Sequence, residues 1–399
     1  MAELALKGIK VLDLSEGIAG PYCTRLLGNF GAEVLKVERP GEGDKSRQVG
    51  PFPEDLPHLE RSALFLHLNI NKKGITLNLE TTAGRKIIKE LVKGADVLVE
   101  SFKPGQMQEW GLDYQSLEKI NPRLVMTSIT PFGQTGPYRD YKATSAVLDA
   151  LAGQTLIQGD PRREPMRYYD GAAEYSAGAF TYIAAMGALF YSGNTGEGQY
   201  IDMSILQCFT VLDSHRSVYW THLGTLQERT AGRFGVWPGK VYPCRDGYIG
   251  IAGVGPAGNL QALHSVMGIP ELLDPKYDTA TKRAKYVTEL DALIQPWLMQ
   301  HDKVEIFNAI QKARVQAGVC TSAEDLLKDE GYAARGFWAE VDHPDVGKLM
   351  YPGALALMSE TEWQTSRAPR LGEHNEEIYL GTLGYSPQEL TQLKQGGVI

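Results

Sequence analysis

A succession of short apolar runs, each followed by a turn and a helix-like stretch, limits what the first third of this chain can fold into. GIKVLDL (8–14), AEVLKVE (32–38), GITLNL (74–79), ADVLVESF (95–102) and RLVMTSI (123–129) read as strands. Between them, Pro21 opens a helix in PYCTRLLGNFG, because proline suits the first helical position. Glu80 to Gly94 sets Ile87, Ile88 and Leu91 on one helical face, and LDYQSLEKI is helical as well. Strand and helix alternating in this way predict an α/β protein built on an open, mostly parallel sheet with helices on both faces.

Beyond Ser145 the rhythm changes. SAVLDALAG reads as a helix, Gly171 to Ser192 as a long helix of small residues, and 201–228 as a connecting helix. A Gly/Arg-rich loop from Arg229 leads into a hairpin turning at Arg245-Asp246-Gly247. A chain of 399 residues exceeds what one core usually holds, so two domains are expected. The expected boundaries are a large domain over 1–200, the connecting helix over 201–228, and a smaller central α+β domain over 229–328. The stretch 329–399 has too few apolar residues to fold alone and is expected to return to the large domain.

Composition narrows the function by exclusion. A net charge of −8 leaves no basic footprint for nucleic acid. Cys23, Cys208, Cys244 and Cys320 lie far apart, without the spacing of a zinc or dithiol motif, and fit a reducing, cytoplasmic setting. No metal site is expected. The N-terminus shows no apolar leader segment, and the most apolar stretch, Ala177 to Tyr191, is shorter than a bilayer requires, so no membrane partner is expected.

The first strand and helix invite a dinucleotide reading, but the turn between them, Ser15-Glu16-Gly17-Ile18-Ala19-Gly20-Pro21, lacks G-x-G-x-x-G, and no P-loop motif occurs. What remains is a set of cations at the ends of strands: Arg39, Lys72, Lys73 and Lys103. In open parallel sheets those ends form the ligand crevice, so such cations are placed to collect phosphates.

VLDLSEGIAGPYCTRLLGNFGAEVLKVERPGEGDKSR (11–47) closely resembles the opening of the family III coenzyme A transferases, a superfamily that includes the α-methylacyl-CoA racemases. NKKGITLNLETTAGR (71–85), VESFKPG (99–105), LDYQSLEKINPRLVMTSITPFGQTGPYRD (112–140) and TGEGQYIDMSILQ (195–207) continue the resemblance in order. It implies a Rossmann-like large domain built from both termini, a smaller central domain and an interlocked dimer, either a homodimer or a heteromer with a paralogous subunit. The implied activity moves coenzyme A from an acyl-CoA donor, succinyl-CoA among the candidates, to a free carboxylic acid. No tightly bound cofactor is implied, because coenzyme A is itself a substrate.

The family nucleophile is an aspartate before a small-residue helix, which falls here on Asp170 in RYYDGAAEYSAG. The physics agrees: the positive end of a helix dipole favours an anion, and a carboxylate is a usable nucleophile toward a thioester. The same resemblance puts coenzyme A contacts on Ile18, Ala19, Arg39, Asn69, Lys72, Ser101, Phe102 and Lys103. Serine at 101 replaces the usual asparagine, and Glu109 stands where an arginine is common. The tetraglycine loop of some oxalate enzymes is absent, its place taken by Gly232–Gly239, whose Gly235, Phe234 and Trp237 are candidates to face the reaction centre or the substrate. Arg167 and Tyr169 are candidate acid contacts, Arg167 for a second carboxylate. Racemases of the superfamily pair the aspartate with a histidine. The corresponding residue here is Thr144, which cannot act as a general base near neutral pH, and His215 and His222 read as structural. Transfer is therefore favoured over proton exchange at the 2-carbon. A non-catalytic subunit role is the remaining alternative, and retention of Asp170 speaks against it.

Overall fold

The computed structural model describes residues 4–212, 215–233, 235–253 and 260–399. β1 (Lys10–Asp13), β2 (Glu33–Glu38), β3 (Lys72–Thr76), β4 (Val97–Glu100), β5 (Val125–Thr130) and β6 (Gln199–Ser204) form one parallel sheet in the order β3-β2-β1-β4-β5-β6. The order reverses between β1 and β4, which opens a crevice at the carboxyl ends of those two strands.

The sheet is apolar on both faces because alternate strand residues point to opposite sides. Leu98 and Met126 join Leu12, Leu14, Ile87 and Ile88 on one side. Val97, Val99 and Val125 join Val11, Ala173 and Ala177 on the other. The first helix, Ala19–Asn29, and the long helix, Ala172–Thr195, cover this second face. They approach closely at Gly178, where a Cβ would stand 2.6 Å from the Ala19 carbonyl. Pro21 lies inside the first helix rather than opening it, with Ile18 at the N-cap.

The chain divides into two compact units: Met1–Gln154, Arg167–Thr221 and Gly331–Ile399 form the first, and Thr155–Met166 with His222–Glu330 the second. The C-terminal stretch completes the first core. Ile378, Tyr379, Leu390 and Val398 are buried in it, and the Tyr379 hydroxyl donates to the Thr76 carbonyl at 2.8 Å. β10 (Trp338–His343) and β11 (Gly347–Pro352) form an antiparallel hairpin in the same unit. The second unit has its own core and an antiparallel sheet of β7 (Val236–Cys244), β8 (Gly247–Gly253) and β9 (Gln316–Val319). There Asp291 accepts hydrogen bonds from Arg233, Trp237, Lys240 and Tyr242.

Residues 201–228 are not one connecting helix. Tyr200 to Met203 extend the sheet as β6, Ser204 caps a short helix Ile205–Val211 by accepting from the Gln207 amide, and a further helix spans His215–Leu223. The physical reason is the edge of the sheet: β5 offers unpaired backbone groups that a strand satisfies and a helix does not.

Candidate active site

The turn after β1 rests on a buried ionic scaffold. Asp13, at the end of that strand, is fully buried and accepts from Ser15 Oγ, Thr24 Oγ1 at 2.7 Å and Lys72 Nζ at 2.9 Å. Burial alone would raise its pKa, but Lys36 and Lys72 beside it hold it well below the usual carboxylate range. Lys36 donates to the Ser15 carbonyl and to Asp44 at 2.6 Å, and Asp44 in turn accepts from the Gly17 amide at 3.1 Å. Ser15 and Gly17 of the turn are thereby tied down. Above the scaffold, Ser101 Oγ accepts from the Glu16 amide at 2.8 Å, so the serine that replaces asparagine ties the β1 turn to the β4 loop.

This network redirects two of the residues expected to contact coenzyme A. The Lys72 side chain is wholly buried, and its ammonium donates to Asp13, to the Pro21 carbonyl at 2.9 Å and to Asn69 Oδ1 at 2.8 Å. All three donors are engaged inside the protein. Burial pulls its pKa down to about 8 despite Asp13. Asn69 is also buried, spent on Lys72 and on the Phe65 carbonyl. The neighbour that points outward is Lys73, paired with Glu377 at 2.6 Å.

Arg39 remains available. Its guanidinium is half exposed and lies no closer than 3.7 Å to Glu80 and 3.8 Å to Glu42. It lines a cleft with Leu14, Glu16, Leu79, Phe102 and Trp110, over the carboxyl ends of β1, β2 and β3. The rings of Phe102 and Trp110 meet edge to face at 5.0 Å and give that cleft an aromatic wall. Lys103 does not line it. Lys103 faces a separate cavity of about 450 Å³ on the other side of the same loop. Glu109 is exposed and engages Gln106 at 3.1 Å.

Asp170 precedes the long helix without capping it. The N-cap is Gly171, in the left-handed region at φ 90°, and Asp170 itself is exposed over three-quarters of its side chain. Its one hydrogen-bonded partner among the described residues is Arg167, an ion pair three residues back. A Cβ on Gly171 would stand 3.1 Å from the Ile18 side chain and 3.3 Å from Tyr175. Gly171, next in the chain to Asp170, thus packs against the turn whose Glu16 borders the Arg39 cleft. Ala19 is buried as the first residue of its helix. Tyr169 is largely exposed, while Tyr168 packs on Phe209 at 5.7 Å.

Thr144 is the N-cap residue of the helix Ser145–Leu151, without a side-chain capping bond. Gly235 belongs to the second unit, at φ 67° before β7, and nothing lies within 4 Å of where its Cβ would be. Trp237, in β7, is buried with its indole N–H donated to Asp291 at 3.0 Å, so it packs rather than faces a substrate. Phe234 and the side chain of His215 fall outside the described residues.

Tyr175, a sequence candidate for the acid pocket, packs among groups behind Asp170 that had no clear sequence signal. Tyr175 meets Tyr22 edge to face at 5.0 Å and His67 at 6.2 Å, and His67 accepts from Arg25. Burial and the Arg25 charge press the His67 pKa down to about 3, so the imidazole is neutral. Ser145 donates to Glu174 at 2.7 Å on the first turn of the long helix, and burial with the Glu174 charge raises Asp149. The one available hint was Arg25 itself, a charge inside the apolar helix CTRLLG.

Comparison with known proteins gives the family. The family model described as CoA-transferase family III matches residues 6–375. The succinyl-CoA–D-citramalate CoA-transferase of Chloroflexus aurantiacus is 34% identical over 400 residues, covering 99% of this chain and 98% of the relative. The succinate–glutarate CoA-transferase of Agrobacterium fabrum is 32% identical over 380 residues, with 94% of each chain covered. A crystal structure of a CAIB/BAIF family protein from Brucella suis superposes with a TM-score of 0.85 at 32% identity, covering 94% of this chain and 98% of that one.

Proposed function

The chain belongs to CoA-transferase family III, and we propose that it moves coenzyme A from succinyl-CoA to a second carboxylic acid through acylation of Asp170. The observation that carries the reading is the exposed Asp170 carboxylate, paired with Arg167 and followed by a Gly171 that packs on the Ile18 turn. In the first step an oxygen of Asp170 attacks the thioester carbonyl. The C–S bond breaks, giving a mixed anhydride and the coenzyme A thiolate. The thiolate then attacks the aspartyl carbonyl, expels succinate and leaves an aspartyl-CoA thioester. The acceptor carboxylate attacks that thioester to form a second anhydride, and the thiolate takes the acyl group, restoring Asp170. Charge and atoms balance without a proton transfer, and one thioester replaces another.

The adenosine end of coenzyme A is assigned to the cleft of Arg39, Phe102 and Trp110, with Arg39 as phosphate partner and the aromatic rings beside the base. Its pantetheine arm would pass Ser101 and Ile18 to reach Asp170. In this reading the backbone amides of the first helical turn after Gly171 meet the developing oxyanion. Arg167 has two uses. It holds Asp170 in the resting protein, and it receives the distal carboxylate of a dicarboxylic acid when the substrate enters.

Thr144 supplies no base for proton exchange at the 2-carbon, which leaves transfer as the reading. The large exposed side chains of Ile183, Phe190, Tyr219 and Trp220, on helices of the first unit, support an assembly of at least two chains, either two copies or one with a paralogue.

Incubation with succinyl-CoA followed by hydroxylamine or borohydride tests the mechanism. Peptide mapping is expected to find the modification on Asp170, and Asp170→Ala is expected to abolish transfer. Transfer by that variant, or labelling at another residue, would overturn it.

A further inference from the structure

Beyond the transfer site, the first unit holds a cavity of about 450 Å³ bordered by Glu100 at the end of β4, Met126 and Ser128 of β5, and Tyr200 near the start of β6. Its volume lies in the range of small-molecule sites. Tyr114 and Tyr200, with ring centroids 5.9 Å apart, form one wall, and Met107 and Met126 add apolar surface. Lys103 and Arg139 bring positive charge to it.

The polar groups are few and differently disposed. Glu100 is 2% exposed and hydrogen-bonded to the Ser128 side chain and the Phe102 amide. Burial lifts its carboxyl to about 7, so it carries much less than a full negative charge near neutrality. Gln134 has a buried side-chain amide nitrogen with no partner among the described residues. Asp113 is already engaged with the amide and hydroxyl of Ser116. The lining therefore offers an aromatic slot, two cations, and one carboxyl plus one amide with hydrogen-bonding capacity.

We propose that this cavity is a second ligand site, for an aromatic hydroxy acid, coupled to the Arg39 cleft through the loop 101–110. The carboxylate faces Lys103 and Arg139, the ring lies against Tyr114 and Tyr200, and the hydroxyl reaches Glu100 and Gln134. Coupling follows from the loop's two sides. Phe102 and Trp110 line the cleft, while Lys103, Gly105, Met107 and Gln108 line the cavity. Glu100, on the cavity floor, holds the Phe102 amide at 2.7 Å, and the next residue, Ser101, holds the β1 turn. A ligand that shifts one side of this short loop shifts the other, so occupancy changes affinity for coenzyme A in both directions of linkage.

The test is hydrogen exchange on the whole protein with para-hydroxyphenylacetate, without coenzyme A. Protection is expected in peptides over 101–115 and 131–139. Arg139→Glu and, separately, Gln134→Ala should each weaken it by about fivefold to tenfold in dissociation constant. Both positions are partly exposed, so the fold is expected to survive. Phenylacetate, lacking the hydroxyl, should bind more weakly, and the cation tyramine weaker still. In the wild type the acid should change the dissociation constant of coenzyme A at least about twofold, an effect absent in Arg139→Glu. The idea fails if no protection appears, if it is confined to peptides around Ile18 and Asp170, if both variants bind like wild type, or if tyramine binds best. Binding should persist in Asp170→Ala, so this proposal can fall while the transfer mechanism stands, and the reverse.

Discussion

Replacing Lys72 by methionine separates two roles for a cation that the sequence assigns to phosphate. The ammonium is enclosed and donates to Asp13 at 2.9 Å, so the change removes one partner of a buried ion pair while leaving an ionised carboxylate behind. Breaking such pairs typically costs about 3–5 kcal/mol. Lys36 lies 3.9 Å from the same Asp13 oxygen and offsets part of the loss, which puts the expectation at the lower end, about 3 kcal/mol. For a unit of this size that corresponds to a fall in Tm of about 6–10 °C. Asp13→Asn combined with Lys72→Met should recover much of it, because no unpaired charge is then buried. Calorimetry reads the stability, and KM for the acyl-CoA, measured well below the lowered transition, reads binding. If Lys72→Met left Tm unchanged and raised KM about tenfold, the ammonium would be reaching phosphate and the structural assignment would be wrong.

Glu100 predicts a pH dependence of stability. Its folded pKa of about 7 exceeds the ordinary 4.5, so the folded state keeps a proton that the unfolded chain loses. Its contribution is complete below about pH 4.5 and disappears as pH rises to 7, by up to about 3 kcal/mol, and Glu100→Gln should flatten denaturant-melt stability across that window. Arg167→Ala should raise KM for dicarboxylic acceptors about tenfold or more while leaving monocarboxylic acids within a few-fold, and equal effects on both would remove its role in recognising the second carboxylate. Gly178→Val should cost about 1–3 kcal/mol, since even a Cβ there meets the Ala19 carbonyl at 2.6 Å. It should also lower kcat by displacing the Ile18 turn, and a variant with wild-type Tm and kcat would contradict the packing.

The sheet was legible because its strands are short apolar runs between amphipathic helices, and burial on both faces leaves little else for VLVE or VMTSIT to do. β6 was not. Its Tyr200 and Asp202 alternate with Ile201 and Met203, an edge-strand pattern that runs without a break into the helical LQCF, and only the free edge of β5 decides between them. The exchange of Lys72 for Lys73 has an equally simple origin. Adjacent residues of a strand face opposite ways, so one lysine of the pair had to turn inward, and the sequence does not carry the register. The informative clue was Asp13, a charge inside VLDL that demanded a buried cation. Ser101 followed the family pattern in position but not in chemistry, holding the neighbouring turn through its hydroxyl.

The placement of Asp170 relative to its helix explains why a reactive carboxylate is compatible with a well-packed scaffold. Had Asp170 been the N-cap, its oxygens would have bound the second or third helical amide, as Asp113 binds Ser116 and Asp44 binds Ser46. A capping carboxylate is a poor nucleophile because attack first requires breaking those bonds. The left-handed Gly171 starts the helix one residue later and leaves no side chain at the cap. No side chain caps the helix, although the Ala172 amide meets the Tyr169 carbonyl at 3.4 Å, and the carboxylate keeps an exposed arginine as its partner. An exposed ion pair is worth little, about 1 kcal/mol or less, so a substrate carboxylate can displace it at small cost. The rigid carboxylate of the region is Asp13, sealed beneath the turn by two lysines. Fixing the turn with one aspartate and leaving the other loosely held meets two demands that a single carboxylate cannot meet together.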